Sequence, residues 1–310
     1  MQKSITIIIP VFNEVDSLKE LQAQLENILE NRYSYEILYM NDGSFDGSEK
    51  ILDELSNQNA STKAVHFHRN YGKAAALAEG FKLATGDYVM TMDADLQDNP
   101  AEIPNFIAKL EEGFDLVSGW KKNRHDPWTK RWPSKLANLV TGIMTGVKIH
   151  DMNCGIKMYR KKVVKMLDIY GGRHRYIPAL AGQRNFKVSE IVVNHRAREY
   201  GETKYGGSRL FHGFFDLITI LFLNRYVQQP LHLFGFFGLI SLALGLIVEC
   251  VILYFKYGLG ESFGSHMALL TFGVMLIVIG IQFFSIGLLG ELISGTTQGH
   301  ENRVKKIINA

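Results

Sequence analysis

Apolar runs and helix-like segments alternate along the first 120 residues of the chain. Five short apolar runs have the length and composition of buried strands, namely residues 5–10, 35–40, 64–68, 88–92 and 114–118. The segments between them favour helices, at residues 15–31, 47–56, 73–85 and 101–112. This alternation predicts an α/β fold with a mostly parallel sheet and helices on both of its faces.

Polar residues follow each of the first four predicted strands. They are Asn13-Glu14, Asn41-Asp42, Arg69-Asn70 and Asp93-Ala94-Asp95. Because parallel α/β sheets bind ligands at the carboxyl ends of their strands, these loops are expected to converge on one site. The alternation loosens after residue 118, where a helix at 134–147 and a last strand at 190–194 are predicted.

The last third of the chain is a different kind of sequence. Residues 231–257 and 267–293 are both apolar over more than the about 20 residues that a helix needs to cross a bilayer. Residues 207–227 mix apolar and charged side chains, which is typical of a helix that lies in a membrane interface. A core-facing amphipathic helix is the alternative for that segment.

Charged residues indicate the orientation of the hairpin. Cations flank the outer ends of the two spans, at Arg209, Arg225, Arg303, Lys305 and Lys306, whereas the connection between the spans has only Lys256 and Glu261. The positive-inside rule therefore predicts that the front domain and the C-terminus are cytoplasmic. Glu249 in mid-span is a functional candidate by its position, with an interhelical hydrogen bond as the alternative.

Composition excludes several classes of protein. A net charge of +3 is too small for a nucleic-acid binder, which carries a strongly basic face. Cys154 and Cys250 lie on opposite sides of the composition boundary and indicate neither a disulfide framework nor a zinc site. The first apolar run ends at Pro10 and is interpreted as a strand, since a signal peptide needs a longer one. No G-x-G-x-x-G follows it, which disfavours an NAD-binding protein.

The segment from Asp93 to Gln97 carries the strongest chemical signal. Side chains at i and i+2 of an extended segment share a face, so Asp93, Asp95 and Gln97 are able to converge on one hard cation. Mg²⁺ or Mn²⁺ takes such oxygen ligands and completes its shell with substrate phosphates. A solvated loop would explain an isolated pair of aspartates, but three other polar loops are expected at the same sheet edge.

Two other loops are candidates for contact with a nucleotide. The segment 41–48 has glycines that let the backbone approach a ligand, and capping of the next helix by Asp46 or Ser48 is the alternative. Asn70 and Lys73 lie in a loop that suits contact with a phosphate or a base, although helix-start chemistry explains part of it.

Basic residues form two groups that are suited to phosphate. Arg196, Arg198 and Lys204 lie between the last predicted strand and the interfacial segment, where they are able to reach a donor diphosphate and a lipid phosphate. Attraction of anionic headgroups is a compatible alternative. Lys121 and Arg131 belong to a basic loop that is a candidate to close over the donor.

Six segments resemble, in order, the motifs of inverting GT-A-type glycosyltransferases of family 2, such as dolichol-phosphate mannose synthases and undecaprenyl-phosphate sugar transferases. They are IIIPVFNE, NDGSFDGS, HRNYGKAAAL, DADLQD, NCGIKMYR and HRAREYGETKYG. The hairpin is similar to that of members with two C-terminal membrane helices. We therefore expect a GT-A (Rossmann-like) domain at 1–206, interfacial helices at 207–229, a transmembrane hairpin at 230–293 and a cytoplasmic tail at 294–310.

The resemblance also implies roles for particular residues. Those implied for the nucleotide-sugar pocket are Pro10, Asn13, Glu14 and Asp42, with Asn70, Lys73 and Asp93 beside them. It implies that Asp93, Asp95 and Gln97 hold the divalent cation, and that Arg198 and Lys204 contact phosphates. Lys157 stands where many relatives have an arginine, which keeps the charge without the bidentate guanidinium.

The expected reaction is transfer of a hexose from UDP- or GDP-hexose to polyprenyl (undecaprenyl) phosphate with inversion at the anomeric carbon. A phosphate monoester has a second pKa near ~6 and is mostly anionic at neutral pH, so a general base is less necessary than for a hydroxyl. Asp151 is the candidate for that role, and Asp93 and Asp95 are the other catalytic candidates. A hydroxyl-acceptor enzyme of the same fold and a non-catalytic membrane scaffold are the alternatives.

The expected location is the inner (plasma) membrane, with a multi-pass chain whose two termini are cytoplasmic. The expected partners are a nucleotide-sugar, a polyprenyl phosphate and the membrane, with no nucleic acid. A homo-oligomer and a downstream flippase are compatible with the sequence. The sugar does not follow from any motif, and a neutral hexose is the preferred expectation.

Overall fold

The computed structural model describes residues 3–122, 142, 146–194, 196 and 230–297. The chain divides into two compact units, residues 1–218 and residues 219–310. The described residues up to 196 belong to the first unit, and residues 230–297 belong to the second.

The described part of the first unit contains one sheet of seven strands. The strands are β1 (Ser4–Val11), β2 (Ser34–Asn41), β3 (Thr62–His66), β4 (Tyr88–Thr91), β5 (Leu116–Trp120), β6 (Lys157–Arg160) and β7 (Val188–Val192). The helices are α1 (Leu18–Leu29), α2 (Ser48–Gln58), α3 (Lys73–Leu83), α4 (Ile103–Glu111), α5 (Lys161–Met166) and α6 (Ile177–Gln183). Two 3₁₀ turns lie at Pro100–Glu102 and Gly171–Tyr176.

The strand order across the sheet is β3-β2-β1-β4-β6-β5-β7. β1 pairs in parallel with β2 and β4, β2 with β3, and β5 with β7. β6 is antiparallel to both of its neighbours, β4 and β5. The expected mostly parallel sheet is confirmed, and the carboxyl ends of β1, β2, β3 and β4 meet at one edge.

Both faces of the sheet are buried, as the crossover helices of a parallel sheet require. On one face Ile7 of β1 belongs to the same apolar cluster as Leu21 of α1. On the other face Ile8 packs in a cluster with Leu77 and Phe81 of α3. Successive side chains of a strand point to opposite faces, so an unbroken apolar run in β1 supplies both clusters.

The predicted elements differ from the observed ones mainly after residue 120. β6, α5 and α6 were not predicted, because runs of four to seven residues are too short to show a period. The predicted strand at 190–194 is observed as Val188–Val192. The predicted interfacial segment at 207–227 and nearly all of the predicted helix at 134–147 lie outside the described residues.

The second unit contains two long helices, α7 (Pro230–Gly258) and α8 (Met267–Thr297), with a 3₁₀ turn at Phe263–His266 before α8. Both are long and apolar enough to cross a membrane, which agrees with the spans expected at 231–257 and 267–293. Only 17% of the most apolar window of each helix is buried, so these are not core helices of the described chain. Apolar side chains cover most of their outer surface.

Glycines bring α7 and α8 into close contact. A Cβ added at Gly238 would lie 2.9 Å from the carbonyl oxygen of Gly280, and one at Gly245 would lie 2.9 Å from that of Gly273. Small residues in such positions let membrane helices approach closely. Glu249 Oε1 is buried next to Gly273 and accepts no hydrogen bond from the described residues, so the interhelical hydrogen bond considered for it is not formed at this atom.

Candidate active site

The loops after β1 and β2 are tied to each other by backbone donors. The Asn13 N–H donates to Ser44 Oγ at 3.0 Å, and the Phe45 N–H donates to Asn13 Oδ1 at 3.0 Å. The Glu14 N–H donates to Ser48 Oγ at 3.1 Å. Asn13 has a φ of 54°, in the left-handed region that asparagine tolerates better than most residues. Asn13 and Glu14 therefore lie at the predicted sheet edge, just beyond Pro10 in β1.

Asp42 is buried, and both of its carboxylate oxygens accept backbone hydrogen bonds. The Tyr71 N–H donates to Oδ1 at 2.7 Å and the Gly72 N–H donates to Oδ2 at 2.8 Å. Asp42 thus fixes the loop between β3 and α3, in which the predicted nucleotide contact Asn70 is exposed. Gly43 follows at a φ of 69°, and a Cβ there would lie 2.5 Å from the Arg69 carbonyl carbon, so the two loops touch through this glycine.

The N-cap residue of α2 is Gly47 rather than Asp46 or Ser48, but Asp46 still binds the first residue of the helix. Its Oδ1 accepts hydrogen bonds from the Ser48 N–H at 2.9 Å and the Ser48 hydroxyl at 2.6 Å, and its Oδ2 accepts one from the Val15 N–H at 3.0 Å. Burial raises the pKa of Asp46, but the hydrogen bonds from Ser48 and Val15 outweigh it and leave the pKa lowered. Asp46 therefore stabilises the start of α2.

At the end of β4 an acidic side chain, Asp93, pairs with a lysine instead of with backbone N–H groups. Asp93 forms a salt bridge with Lys73, the first residue of α3. Burial by itself raises the pKa of Asp93, but Lys73, with Lys121 and Lys157 beyond it, lowers the pKa to about 2. The carboxylate is therefore ionised at physiological pH. Gly155 lies directly against it, since a Cβ at that position would be 2.5 Å from Asp93 Oδ2.

The turn after Asp93 is tight and buried. Asp95 is 9% exposed, and its Oδ1 accepts a hydrogen bond from the Gln97 N–H at 3.3 Å. Leu96 has a φ of 61°, an unfavourable conformation for a leucine, and its side chain is anchored in the core. Strain of this kind persists where surrounding packing enforces it, and it is common at ligand sites.

Asp98, in the same motif, is a site residue that the sequence analysis did not single out. Its side chain is 1% exposed, and its Oδ1 lies 3.1 Å from Lys121 Nζ. The contact is an ion pair without hydrogen-bond geometry, because this oxygen accepts no hydrogen bond from the described residues. Burial lowers the pKa of Lys121, but Asp98, Cys154 and Asp93 together outweigh it and leave the pKa raised. The predicted phosphate contact Lys121 is therefore a charged lysine held by an acid.

Lys157 is the next buried cation, at the start of β6. It is 3% exposed, and its ammonium donates to the carbonyl oxygen of Cys154. Burial lowers its pKa, while the nearby Asp151 and Asp93 act in the opposite direction. Asp151, the predicted general base, is also buried, and its Oδ1 accepts a hydrogen bond from the Asn153 N–H at 3.3 Å. Burial raises the pKa of the Cys154 thiol to about 12, which makes it unreactive.

The ligand types at the turn fit a divalent cation. Carboxylate oxygens of Asp93 and Asp95 and the amide oxygen of Gln97 are hard donors of the kind that Mg²⁺ and Mn²⁺ take. No group of three acidic, histidine or cysteine side chains converges on a point within the described residues, so further ligands would come from substrate or water. Lys73 contacts Asp93 Oδ1, so a cation there would share the carboxylate with that ammonium.

The other predicted phosphate contacts are not assembled by the described residues. The Arg196 N–H donates to the Gln97 carbonyl at 3.1 Å, and its guanidinium donates to Gln24 Oε1 at 3.2 Å and Asn99 Oδ1 at 3.1 Å. Arg196 therefore braces the outside of the turn. Arg131, Arg198 and Lys204 lie outside the described residues.

Comparison with known proteins identifies a matching family model and similar proteins. The family model described as glycosyl transferase family 2 matches residues 6–167. The chain is 36% identical over 304 residues to the dodecaprenyl-phosphate galacturonate synthase of Rhizobium johnstonii, covering 94% of this chain and 88% of that protein. It is also 36% identical over 293 residues to an undecaprenyl-phosphate 4-deoxy-4-formamido-L-arabinose transferase of Pseudomonas savastanoi pv. phaseolicola, covering 94% and 86%.

Solved structures agree on the fold. The chain is similar in fold to glucosyl-3-phosphoglycerate synthase from Mycobacterium tuberculosis, solved in complex with Mn²⁺, UDP and phosphoglyceric acid. The TM-score is 0.58 at 16% sequence identity, and the match covers 72% of this chain and 78% of that one. At this identity the likeness concerns the fold.

Proposed function

This chain belongs to glycosyl transferase family 2, and we propose that it transfers a sugar from a nucleotide-sugar to the phosphate of a polyprenyl phosphate, in practice undecaprenyl phosphate. Both relatives named above carry a polyprenyl phosphate and a sugar in their names, and each match spans 94% of this chain. The acceptor class is therefore drawn from relatives that match both units.

The proposed donor is a UDP- or GDP-linked hexose or a modified pyranose. The relatives' names specify galacturonate and 4-deoxy-4-formamido-L-arabinose, so the family branch includes modified sugars. Pro10 near the end of β1, and Asn13 and Glu14 in the loop after it, would border the nucleoside. Asp42 would affect nucleoside binding indirectly, by fixing the loop that contains Asn70, because both of its carboxylate oxygens accept hydrogen bonds from that loop.

Asp93, Asp95 and Gln97 would hold a Mg²⁺ or Mn²⁺ ion. When bound, the ion would neutralise charge on the diphosphate that leaves with the nucleoside. Lys73 pairs with Asp93 and Lys121 pairs with Asp98, and both lysines would add positive charge near the diphosphate. Fixed charges of this kind favour the transition state because they need no reorganisation during the reaction.

The proposed step is an in-line attack by a lipid phosphate oxygen on the anomeric carbon, with inversion. The oxygen is already anionic at neutral pH, since the second pKa of a phosphate monoester is about 6. Asp151 would orient the acceptor or take a residual proton. Arg131, Arg196, Arg198 and Lys204 remain the proposed phosphate contacts, alongside Lys121.

The proposed setting is the cytoplasmic face of the inner (plasma) membrane. The hairpin of α7 and α8 would anchor a catalytic domain of residues 1–206, with interfacial helices at 207–229 and a cytoplasmic tail at 294–310. The distribution of Lys and Arg supports cytoplasmic termini. A homo-oligomer or a flippase that takes the product would be partners.

One observation carries the proposal. The Asp93-Ala94-Asp95 turn lies at the carboxyl end of β4, where Asp93 pairs with Lys73 and the nearby Asp98 pairs with Lys121. A paired-carboxylate turn with lysines around it suits a diphosphate and its cation, which is the group that a nucleotide-sugar brings.

The test is transfer of radiolabelled sugar from a panel of UDP- and GDP-sugars to undecaprenyl phosphate in detergent, with and without Mg²⁺ or Mn²⁺. We expect cation-dependent lipid product that Asp95→Ala abolishes. Asp87→Ala is the matched control, because Asp87 stands just before the other end of β4 and is exposed. Among the described residues, its carboxylate accepts hydrogen bonds only from the N–H and hydroxyl of Ser4. Donor consumption without lipid product would indicate another acceptor, and no turnover of any donor would refute the proposal.

A further inference from the structure

We propose that His150 is a further catalytic residue, which takes the residual proton of the lipid acceptor's phosphate and then holds that phosphate. Glu190 is its positioning residue, and the inference rests on the proposed function. The two residues are joined at two points. The His150 N–H donates to Glu190 Oε2 at 2.7 Å, and the ring Nδ1 contacts Glu190 Oε1. One carboxylate therefore fixes both the backbone and the ring of His150.

Trp120 fixes the plane of the same ring. The centroids of the Trp120 and His150 rings are 4.1 Å apart, and the two planes differ by 11°. The Glu190 side chain is 16% exposed, whereas the His150 side chain is 65% exposed. Holding an exposed side chain in one orientation costs conformational entropy. The arrangement thus presents an imidazole at the surface in a defined direction.

The contact with Glu190 determines what the ring is able to do. A carboxylate only accepts hydrogen bonds, so the proton of a neutral ring lies on Nδ1 and the lone pair lies on Nε2. A carboxylate in this position orients the imidazole and stabilises the imidazolium that forms when Nε2 takes a proton. His150 therefore has the arrangement of a general base.

The sheet places this pair at the same edge as Asp93. β6 is antiparallel to both β4 and β5, so β4 and β5 run in the same direction. Trp120 is the last residue of β5 and lies at its carboxyl end. Only β6 separates β5 from β4, which puts β5 about 10 Å from β4 at the usual spacing of strands.

This side of the sheet suits the acceptor rather than the donor. The proposed function places the nucleoside at the loops after β1 and β2, and the diphosphate at Asp93. β1, β2 and β3 lie on one side of β4, and β6, β5 and β7 lie on the other. An in-line attack brings the nucleophile from the side opposite to the leaving diphosphate. The acceptor phosphate would therefore arrive from the side of β5, where His150 lies.

The neighbouring Asp151 is less accessible to a lipid phosphate. Asp151 is 3% exposed, and its Oδ1 accepts a hydrogen bond from the Asn153 N–H at 3.3 Å. The Ser118 hydroxyl donates to the Asp151 carbonyl oxygen at 3.3 Å, which secures the segment to β5. His150 is thus the exposed member of the two, and we assign the residual proton to it.

The step needs no co-reactant. A lipid phosphate monoanion gives its proton to His150 Nε2, and the resulting dianion attacks the anomeric carbon while the bond from that carbon to the leaving diphosphate breaks. The imidazolium donates a hydrogen bond to the phosphate until it returns its proton to water after product release. An acceptor that arrives as the dianion receives the same hydrogen bond from the protonated ring.

The test uses the full-length protein in detergent with undecaprenyl phosphate as the varied substrate. His150→Ala should lower kcat/KM for undecaprenyl phosphate about 10–100-fold, the usual effect of losing a hydrogen bond to a charged group, with KM for the nucleotide-sugar unchanged. Added imidazole should restore part of the activity, because the variant leaves space for a ring beside Trp120 and Glu190. His150→Gln keeps an N–H donor and should retain a lower KM for the lipid than His150→Ala.

His266→Ala is the matched control. His266 also contacts a glutamate, Glu261, and its ring centroid lies 4.8 Å from that of an aromatic ring, Phe255, but it belongs to the second unit. This variant should keep wild-type kinetics. Glu190→Gln should lower kcat/KM for undecaprenyl phosphate about tenfold, and imidazole should not restore it, because His150 still occupies the site.

An unchanged kcat/KM for the lipid in His150→Ala, an equal rise in KM for the donor, or no recovery with imidazole would overturn the inference. Absence of transfer by the wild type from every donor would refute the proposed function instead. Binding then still decides the inference, with Trp128 and Trp132 replaced by phenylalanine so that Trp120 alone fluoresces. Undecaprenyl phosphate, unlike undecaprenol, should change this emission, and His150→Ala should abolish the change.

Discussion

The two halves of the sheet edge satisfy their acids in different ways. On the side of β1, β2 and β3, Asp42 and Asp46 accept hydrogen bonds from backbone N–H groups and from one serine hydroxyl. On the side of β4, β5 and β6, Asp93 and Asp98 pair with Lys73 and Lys121. In the first group, the backbone half, the acids fix the conformation of the loops. In the second group, the lysine half, the acids and lysines bring opposite charges together at the edge of the sheet.

The difference shows where a protein side chain is able to exchange its partner for a charged ligand. Backbone donors belong to the loops that they shape, so Asp42 cannot release its partners without moving the loop between β3 and α3. A lysine side chain is able to move from a carboxylate to a phosphate without any change in the backbone. The lysine half is therefore the half in which a cation and a diphosphate would be received.

The largest expected effect follows from removing the charge of Asp93. Asp93→Asn should lower kcat for sugar transfer by about 10²–10³-fold, the usual result of removing one preorganised electrostatic group from an active site. It leaves the side-chain volume and the fold intact, because the change is isosteric. Initial rates at saturating donor and lipid measure the effect.

The matched control comes from the backbone half. Asp46→Asn makes the same chemical change at an acid that binds the first residue of α2 and that is not assigned to the reaction. We expect its kcat to stay within about tenfold of the wild type, since a weakened helix start is chiefly a matter of stability. Similar losses in both variants would show that the two halves do not differ in the way described.

A second effect concerns the stability of the lysine half. Asp98→Asn leaves Lys121 buried without its main counter-charge, which should lower the free energy of unfolding of the first unit by about 3 kcal/mol. All three tryptophans, Trp120, Trp128 and Trp132, belong to that unit, so denaturation followed by their fluorescence measures it. A loss below about 1 kcal/mol would mean that Asp93 replaces Asp98 as the partner of Lys121.

Most of the sheet could be predicted from the sequence because its strands are long enough to be recognised. β1 and β2 have eight residues each and are mostly apolar in their buried parts. The helix between them repeats leucines at helical spacing. β6 has four residues, two of them basic, and its antiparallel place between β4 and β5 depends on pairing partners far away in the chain. No local pattern contains that information.

The site was predictable to the extent that its residues share a motif. Asp93 and Asp95 follow β4 directly, whereas Asp98 stands in the same motif but was not recognised because its role depends on Lys121. His174 has no local signal, since it joins Lys73 and Lys157 only through packing of the turn Gly171–Tyr176 near α3. Which charged residues pair with each other depends on contacts between segments that are distant in the chain, and a single sequence does not show those contacts.

A smaller effect comes from His174, which burial and the nearby cations keep uncharged. Its pKa is about 4 in the folded protein against an ordinary 6.5, through burial and then Lys73, Arg175 and Lys157. As pH falls below about 6.5 the unfolded chain binds a proton that the folded chain does not, so stability falls until about pH 4 and then levels off. His174→Gln should flatten this dependence by at most about 1.4 kcal/mol per pH unit. Tryptophan-detected melting of both proteins between these pH values measures the difference, and identical slopes would contradict it.

The smallest expected effect tests the backbone half with the substitution already used at Asp98. In Asp42→Asn the amide oxygen keeps one backbone hydrogen bond, from Tyr71 or Gly72, and the amide nitrogen then faces the other N–H. One lost hydrogen bond to a buried group should cost about 1–2 kcal/mol, less than the stranded charge of Lys121 in Asp98→Asn. Tryptophan-detected denaturation of the two variants side by side gives the order directly. If Asp42→Asn were the more destabilised variant, the backbone half would depend on charge as strongly as the lysine half. The distinction between acids that fix loops and acids that pair with lysines would then be wrong.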